Sequence, residues 1–177
     1  NDSPVLTGIP DQIINEGYTF ATITLDEYVA DPDHPDNQLT LTVSGNTNLT
    51  VLINPGHVAT ITVPNADWYG SENVTFTATD PLGASDGDAA VFTVTSVNDP
   101  PVVSDIGNQT ITEGGTFNPI SLDNFVTDPD HADNQITWTA TGNTQLIVNI
   151  SANRVATIRT PSVDWNGSEA ITFAARD

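Results

Sequence analysis

The sequence predicts an all-β chain built as two tandem seven-strand Greek-key β-sandwiches, 1–97 and 98–177, the second lacking its last strand. An in-register internal repeat is the first observation behind this. Trp68 and Trp165, Glu16 and Glu113, and Asp31 and Asp128 each recur at one spacing of 97 positions (165 − 68). Laid over 1–80, residues 98–177 match at about 44 of 80 positions without a gap, the signature of a modular array. The second observation is period-two alternation, as where Val74, Phe76 and Ala78 interleave with Thr75, Thr77 and Thr79, giving one packed face and one wet one. The third is a composition rich in threonine, valine, isoleucine and asparagine, with no stretch of helical period.

In the first repeat the alternation and its punctuation predict strands at Gln12–Asn15, Tyr18–Leu25, Leu39–Ser44, Leu49–Asn54, His57–Val63, Asn73–Thr79 and Ala90–Val97. Gly45-Asn46, Pro55-Gly56 and Pro81-Leu82-Gly83 supply the turns, because these residues accept the backbone angles that strands refuse. About seven short strands in roughly a hundred residues is the profile of a Greek-key sandwich. The second repeat stops at the residue matching Asp80, so nothing corresponds to Ala90–Val97. A shortened chain accounts for that, and so would a strand donated by a neighbouring chain.

Charge narrows the function classes. The chain holds 3 Lys+Arg against 23 Asp+Glu, a formal net charge of −20, and its only certain cations are Arg154, Arg159 and Arg176. Such a surface repels nucleic acid and anionic lipid, and it offers oxygen ligands to hard cations. There is no cysteine, so no disulfide braces the fold, and no apolar run is long enough to span a bilayer. A catalytic reading lacks support: no cysteine nucleophile and no serine elbow are present, and the paired carboxylates occur in both repeats. The chain is therefore not expected to be an enzyme.

A sandwich has two ends, which decides which loops can meet. The chain enters where the loops after the predicted second and sixth strands lie, gathering Asp2, Asp31, Asp33, Asn37 and Asp80 in the first repeat. Their counterparts in the second are Asp99, Asp128, Asp130, Asn134 and Asp177, joined by Asn98. Glu16 and Asp67 belong to the exit end. All are oxygen donors, and Ca²⁺ takes about 6–8 oxygens at flexible geometry, whereas Mg²⁺ wants a near-ideal octahedron. Stacked repeats would bring Glu16 and Asp67 toward Asn98, Asp99, Asp128, Asp130, Asn134 and Asp177, with Ca²⁺ stiffening the joint.

The order of these motifs resembles the calcium-binding pattern of cadherin repeats. The chain carries it as Glu113-Gly114, Asp128-Pro129-Asp130 with Asn134, Ala175-Arg176-Asp177, and Val97-Asn98-Asp99-Pro100. Asn-Asp-Pro-Pro at 98–101 and Asp-Trp-Asn-Gly-Ser at 164–168 are more closely similar to bacterial cadherin-like, immunoglobulin-like tandem repeats of large calcium-binding surface or secreted proteins. The resemblance covers the whole chain. It implies a calcium-rigidified structural module of an extracellular adhesin, surface fibre or filament, whose partners are adjacent repeats or neighbouring subunits. The alternative is a calcium-dependent module that recognises a glycan, another cell-surface ligand or another cadherin-like repeat. Ser96, Pro101 and Asp67-Trp68-Tyr69 depart from the animal cadherin pattern, leaving Glu72 as a substitute ligand and implying one or two ions per junction.

Three further expectations follow from the residues. His34 and His131 read as exposed loop residues, since an all-oxygen Ca²⁺ site has no use for imidazole. Trp68 and Trp165 read as loop tryptophans packing over the exit end, with sugar stacking the alternative. Trp138, at the position of Leu41, reads as core. A halophile's general acidity would spread the acids over all faces, whereas here they concentrate in loops.

Overall fold

The computed structural model describes residues 1–177, and the chain divides into two compact units, Asn1–Val97 and Asn98–Asp177. Unit 1 contains β1 (Val5–Leu6), β2 (Gln12–Asn15), β3 (Ile23–Thr24), β4 (Val29–Ala30), β5 (Thr40–Ser44), β6 (Thr50–Ile53), β7 (Val58–Thr62), β8 (Gly70–Thr79) and β9 (Ser85–Thr95). One sheet runs β2-β9-β8-β5 and the facing one β3-β7-β6, while β1 pairs with β4. All pairings are antiparallel except β2 with β9, where Gln12 meets Phe92 and Asn15 meets Thr95 in parallel. Both strands therefore finish at the same end of the sandwich.

Alternation puts the core where the sequence predicts it. Val74, Phe76, Ala78, Ala90 and Phe92 are fully buried, and they close against Phe20, Ile23, Leu25, Leu49, Ala59 and Ile61 of the facing layer. Phe92 meets the rings of Phe20 and Phe76 edge-on at 5.3 and 6.5 Å, the arrangement that aromatic quadrupoles favour. Gly70 (φ +153) backs onto Trp68, and a Cβ there would stand 2.9 Å from the indole; Gly167 and Trp165 repeat the arrangement. The glycine keeps the ring seated on the core edge.

The expected strand Tyr18–Leu25 is reduced to β3. Side chains have taken over the earlier part: the Gln12 amide donates to Ala21 O (3.1 Å) and accepts from Ala21 N (2.8 Å), imitating a backbone bridge. Gln109 does the same for Asn118, at 3.1 and 2.8 Å. Short 3₁₀ turns at Leu25–Glu27 and Asp36–Gln38, which no periodicity announces, lead into β4 and β5.

Unit 2 contains β10 (Val102–Val103), β11 (Ile120–Ser121), β12 (Val126–Thr127), β13 (Thr137–Thr141), β14 (Ile147–Ile150), β15 (Val155–Arg159) and β16 (Thr172–Arg176). The pairs β10–β12 and β13–β16 and the sheet β11-β15-β14 reproduce the unit 1 pattern, but nothing within 98–177 corresponds to β9. The consequences are local. Residues 109–112, which match β2, form no strand, and β16 has 5 residues where β8 has 10. Phe117, Ile171 and Phe173 are half-buried where Phe20, Val74 and Phe76 are buried, and they line a cavity of about 700 Å³. Trp138 is in the core as expected.

In the 177-residue chain unit 2 buries less apolar surface behind the same hydrogen-bonded pairs, so in that chain it opens more readily. Hydrogen exchange read by mass spectrometry should show Thr137–Thr141 losing protection well before Thr40–Ser44, by about tenfold or more in rate. Equal protection of the two strands would contradict this.

Candidate metal centre

The entry-end acids are positioned by local turns. Asp31 follows β4 and folds its carboxylate back, so that Oδ1 accepts the amides of Asp33 (2.7 Å) and His34 (2.8 Å). Asp128 does the same for Asp130 (2.9 Å) and His131 (2.8 Å). This turn is the reason for the Asp-Pro-Asp-His spacing: proline fixes the approach, and an Asx carboxylate replaces a backbone acceptor. Asp80 ends β8, where Oδ1 accepts the amides of Leu82 and Ala84 at 2.8 and 2.9 Å and turns the chain toward β9.

The first residues of each unit close over these turns. In unit 1, Asn1 Nδ2 donates to Asp80 Oδ2 (2.7 Å) and Asp2 N to Asp33 Oδ2 (2.6 Å). In unit 2, Asn98 Nδ2 donates to Asp177 Oδ2 (2.6 Å) and Asp99 N to Asp130 Oδ2 (2.7 Å). The Asp2 amide, with help from the nearby His34, holds the Asp33 carboxyl below the usual range. The Asn1 amide, followed by the turn amides, does so for Asp80. Both carboxyls are therefore held in the ionised form that binds cations.

Asp31 and Asp80 come together in unit 1, as do Asp128 and Asp177 in unit 2, with ligand atoms within 4.8 Å of one another in each group. The Asp31 and Asp128 side chains are only 0% and 1% exposed. Asp31 Oδ2 and Asp128 Oδ2 are buried with no hydrogen-bond partner. A buried, unanswered carboxylate oxygen is costly, and a bound cation is the partner such an oxygen fits. The donor set is oxygen-rich and flexible in the manner Ca²⁺ accepts. Asn37 and Asn134 sit exposed in the 3₁₀ turns Asp36–Gln38 and Asp133–Gln135 beside these groups.

Glu16 lies at the far end of unit 1, where β2 and β9 finish. It is buried, its Oε1 accepts the amide of Val97, and its Oε2 has no partner. Asp67 is exposed, in a turn where its amide donates to Asn65 Oδ1. Glu113, the match of Glu16, is exposed in unit 2, where no strand like β9 lies alongside it.

Three residues behave unlike their sequence reading. His34 and His131 are not exposed loop residues: their side chains are 16% and 28% exposed, and both Nδ1 atoms are buried inside the acidic groups. The Asx turn that catches the histidine amide swings the ring inward. Glu72 is occupied and is no substitute ligand. Its oxygens accept the amides of Thr47, Asn48 and Leu49, the Thr47 hydroxyl and the Asn48 amide group, at 2.6–3.2 Å. Glu169 grips Thr144, Gln145 and Leu146 in the same way. Only the matched spacing of Glu72 and Glu169 from Thr47 and Thr144 hinted at this clamp.

Of the two exit-end tryptophans, Trp68 is packed as expected, whereas Trp165 lines the unit 2 cavity. Trp68 lies against the unit 1 core, and Trp165 Nε1 donates to Gln145 Oε1 at 2.6 Å.

The family profile described as Bacterial Ig domain matches residues 1–95. The chain belongs to the bacterial Ig domain family. No curated protein matches it in sequence. Among solved structures it is similar to a protocadherin gamma B3 fragment, EC1-4, at 13% identity and TM-score 0.59, over 98% of this chain and 45% of that one. Extracellular cadherin domains 1–5 of protocadherin gamma B2 give 14% and 0.57, over 100% and 36%. Drosophila N-cadherin EC1-4 gives 15% and 0.50, over 98% and 48%. The chain thus spans about half or less of these structures, and at such identity they establish the fold: a cadherin-like, immunoglobulin-like β-sandwich repeat. No helix is long and apolar enough to cross a membrane.

Burial alone would raise the Glu72 carboxyl, but the Thr47 and Asn48 donors outweigh it and hold the pKa at about 2 instead of 4.5. The clamp therefore contributes full stability above pH 4.5 and loses it as the pH falls through about 2. Glu72→Gln should cost about 1–3 kcal/mol near neutrality, because buried donors lose acceptors. Urea titrations across pH should show the gap between wild type and variant shrinking toward pH 2; a gap independent of pH would refute the clamp.

Proposed function

We propose that this chain is a calcium-rigidified structural repeat module of an extracellular adhesin, surface fibre or filament, serving as a stalk or polymer building block and not as a catalyst. The observation that carries the reading is the pair of buried, partnerless oxygens, Asp31 Oδ2 and Asp128 Oδ2, at the same place in both units. Around them the proposed ligands are Asp2, Asp33, Asn37 and Asp80 in unit 1, and Asn98, Asp99, Asp130, Asn134 and Asp177 in unit 2. Glu16 and Asp67 extend the proposal to the other end of unit 1.

Ca²⁺ would supply the positive charge that a chain with 3 Lys+Arg cannot. Asn98 and Asp99 are tied to Asp177 and Asp130, and Val97 is tied to Glu16, so each side of the linker is gripped by acids of its own unit. An ion on those acids would stiffen the connection. Extracellular modules bind Ca²⁺ at about 10⁻⁴–10⁻³ M, which suits a protein outside the cell. Adjacent repeats or neighbouring subunits are the proposed partners.

Thermal unfolding with Ca²⁺, with Mg²⁺ and with chelator tests this. At ~5 mM Ca²⁺ a site in that affinity range adds about 1–2 kcal/mol, or upwards of about 4 °C in Tm. Asp31→Asn with Asp128→Asn keeps both Asx turns through the amide oxygen. It should abolish the Ca²⁺ shift while raising the melting temperature in chelator, because two buried charges are gone. A Ca²⁺ response that survives this double change would sink the assignment.

A further inference from the structure

His34 and His131 are the unabsorbed feature of the two acidic groups. His34 Nδ1 stands 3.4 Å from Asp31 Oδ1, and His131 Nδ1 stands 3.4 Å from Asp128 Oδ1 and 3.8 Å from Asp177 Oδ2. Neither Nδ1 has a hydrogen-bond partner, although both are buried. His57 provides the contrast, since its Nδ1 is engaged by Asp26 Oδ1 at 2.6 Å. An imidazole nitrogen hidden among carboxylates, beside a fully buried oxygen that also lacks a donor, is wasted in an all-oxygen calcium site. Its presence in both units argues against an accident of one loop.

We propose that each Asp–His–Asp group (Asp31, His34 and Asp80; Asp128, His131 and Asp177) also takes a divalent transition ion of the Zn²⁺ class, with the histidine Nδ1 as a ligand. Donor spacing supports the choice. Bonds of about 2.0–2.1 Å to nitrogen and oxygen put neighbouring ligands in a tetrahedron about 3.3–3.4 Å apart, close to the Nδ1–Oδ1 separations. Ligand chemistry agrees: imidazole suits Zn²⁺, Cu²⁺, Ni²⁺ and iron, whereas Ca²⁺ and Mg²⁺ prefer oxygen alone. The bonds from the His34 and His131 amides to Asp31 and Asp128 Oδ1 hold each histidine beside its aspartate, so the group needs little rearrangement to close on an ion. The inference rests on the reading that these groups hold a cation, and it makes them selective sites that a transition ion can claim from Ca²⁺.

The full chain contains three histidines, which makes imidazole nitrogen NMR decisive. Titration with ZnCl₂ should move the Nδ1 resonances of His34 and His131 and leave His57, already paired with Asp26, in place. In His34→Asn with His131→Asn, the ratio of Zn²⁺ to Ca²⁺ affinity measured by calorimetry should fall at least about tenfold. Unmoved His34 and His131 resonances, or an unchanged ratio in the variant, would overturn the proposal. Zn²⁺ binding through the histidines without any Ca²⁺ binding would sustain this inference and refute the calcium reading. Ca²⁺ binding with silent imidazoles would do the reverse.

Discussion

A chain with 23 acidic side chains and 3 Lys+Arg cannot balance its charges internally. Every carboxylate that folding removes from water must be answered by a backbone amide, a side-chain amide or hydroxyl, or an ion. Much of the loop structure follows from that constraint. Glu72 and Glu169 are answered by the backbone of the loops they hold, Asp31 and Asp128 by half, and Asp80 by the chain turning around it. The oxygens left over sit where the motifs place acids together, and this links loop architecture to the proposed cation binding.

The same constraint explains why two side-chain contacts to acids at one matched position matter. His57 Nδ1 lies 2.6 Å from Asp26 Oδ1 and Arg154 Nε lies 2.7 Å from Asp123 Oδ1, both on a residue of positive φ (55° and 56°). A left-handed turn normally selects glycine or asparagine. Here a nitrogen-bearing side chain is held on an acid beside the facing sheet in each unit, and Arg154 is not left for the acidic end.

Much of the fold was legible because alternation and duplication are written in side chains. The strand positions around Thr40–Ser44, Val58–Thr62 and Gly70–Thr79 follow from them. What escaped notice was structure made by side chains imitating backbone. Gln12 bridging Ala21 dissolves half of an expected strand, and the Asx turns carry two histidines inward. Of the candidate site, Asp31, Asp80, Asp128 and Asp177 were readable as duplicated acids brought together by loop position. The burial of His34 and His131 was not, since it depends on how each ring turns once the Asx turn has brought the residue beside its aspartate. Nor was the clamp at Glu72, because a carboxylate serving as a loop acceptor looks the same in sequence as a ligand.

The Asn-Asp pair at the head of each unit carries a lesson about portability. Asn1 and Asp2 fasten onto Asp80 and Asp33 within unit 1, and Asn98 and Asp99 fasten onto Asp177 and Asp130 within unit 2. What looks like a connector is therefore the lid of the module that follows it. Gene duplication that breaks the array just ahead of Asn-Asp copies a self-contained part, lid included. A break two residues later would hand the lid to the wrong neighbour and leave an acidic end open. The exchangeable unit of this architecture begins at its asparagine, and anyone splicing such repeats into a longer or shorter array should cut there.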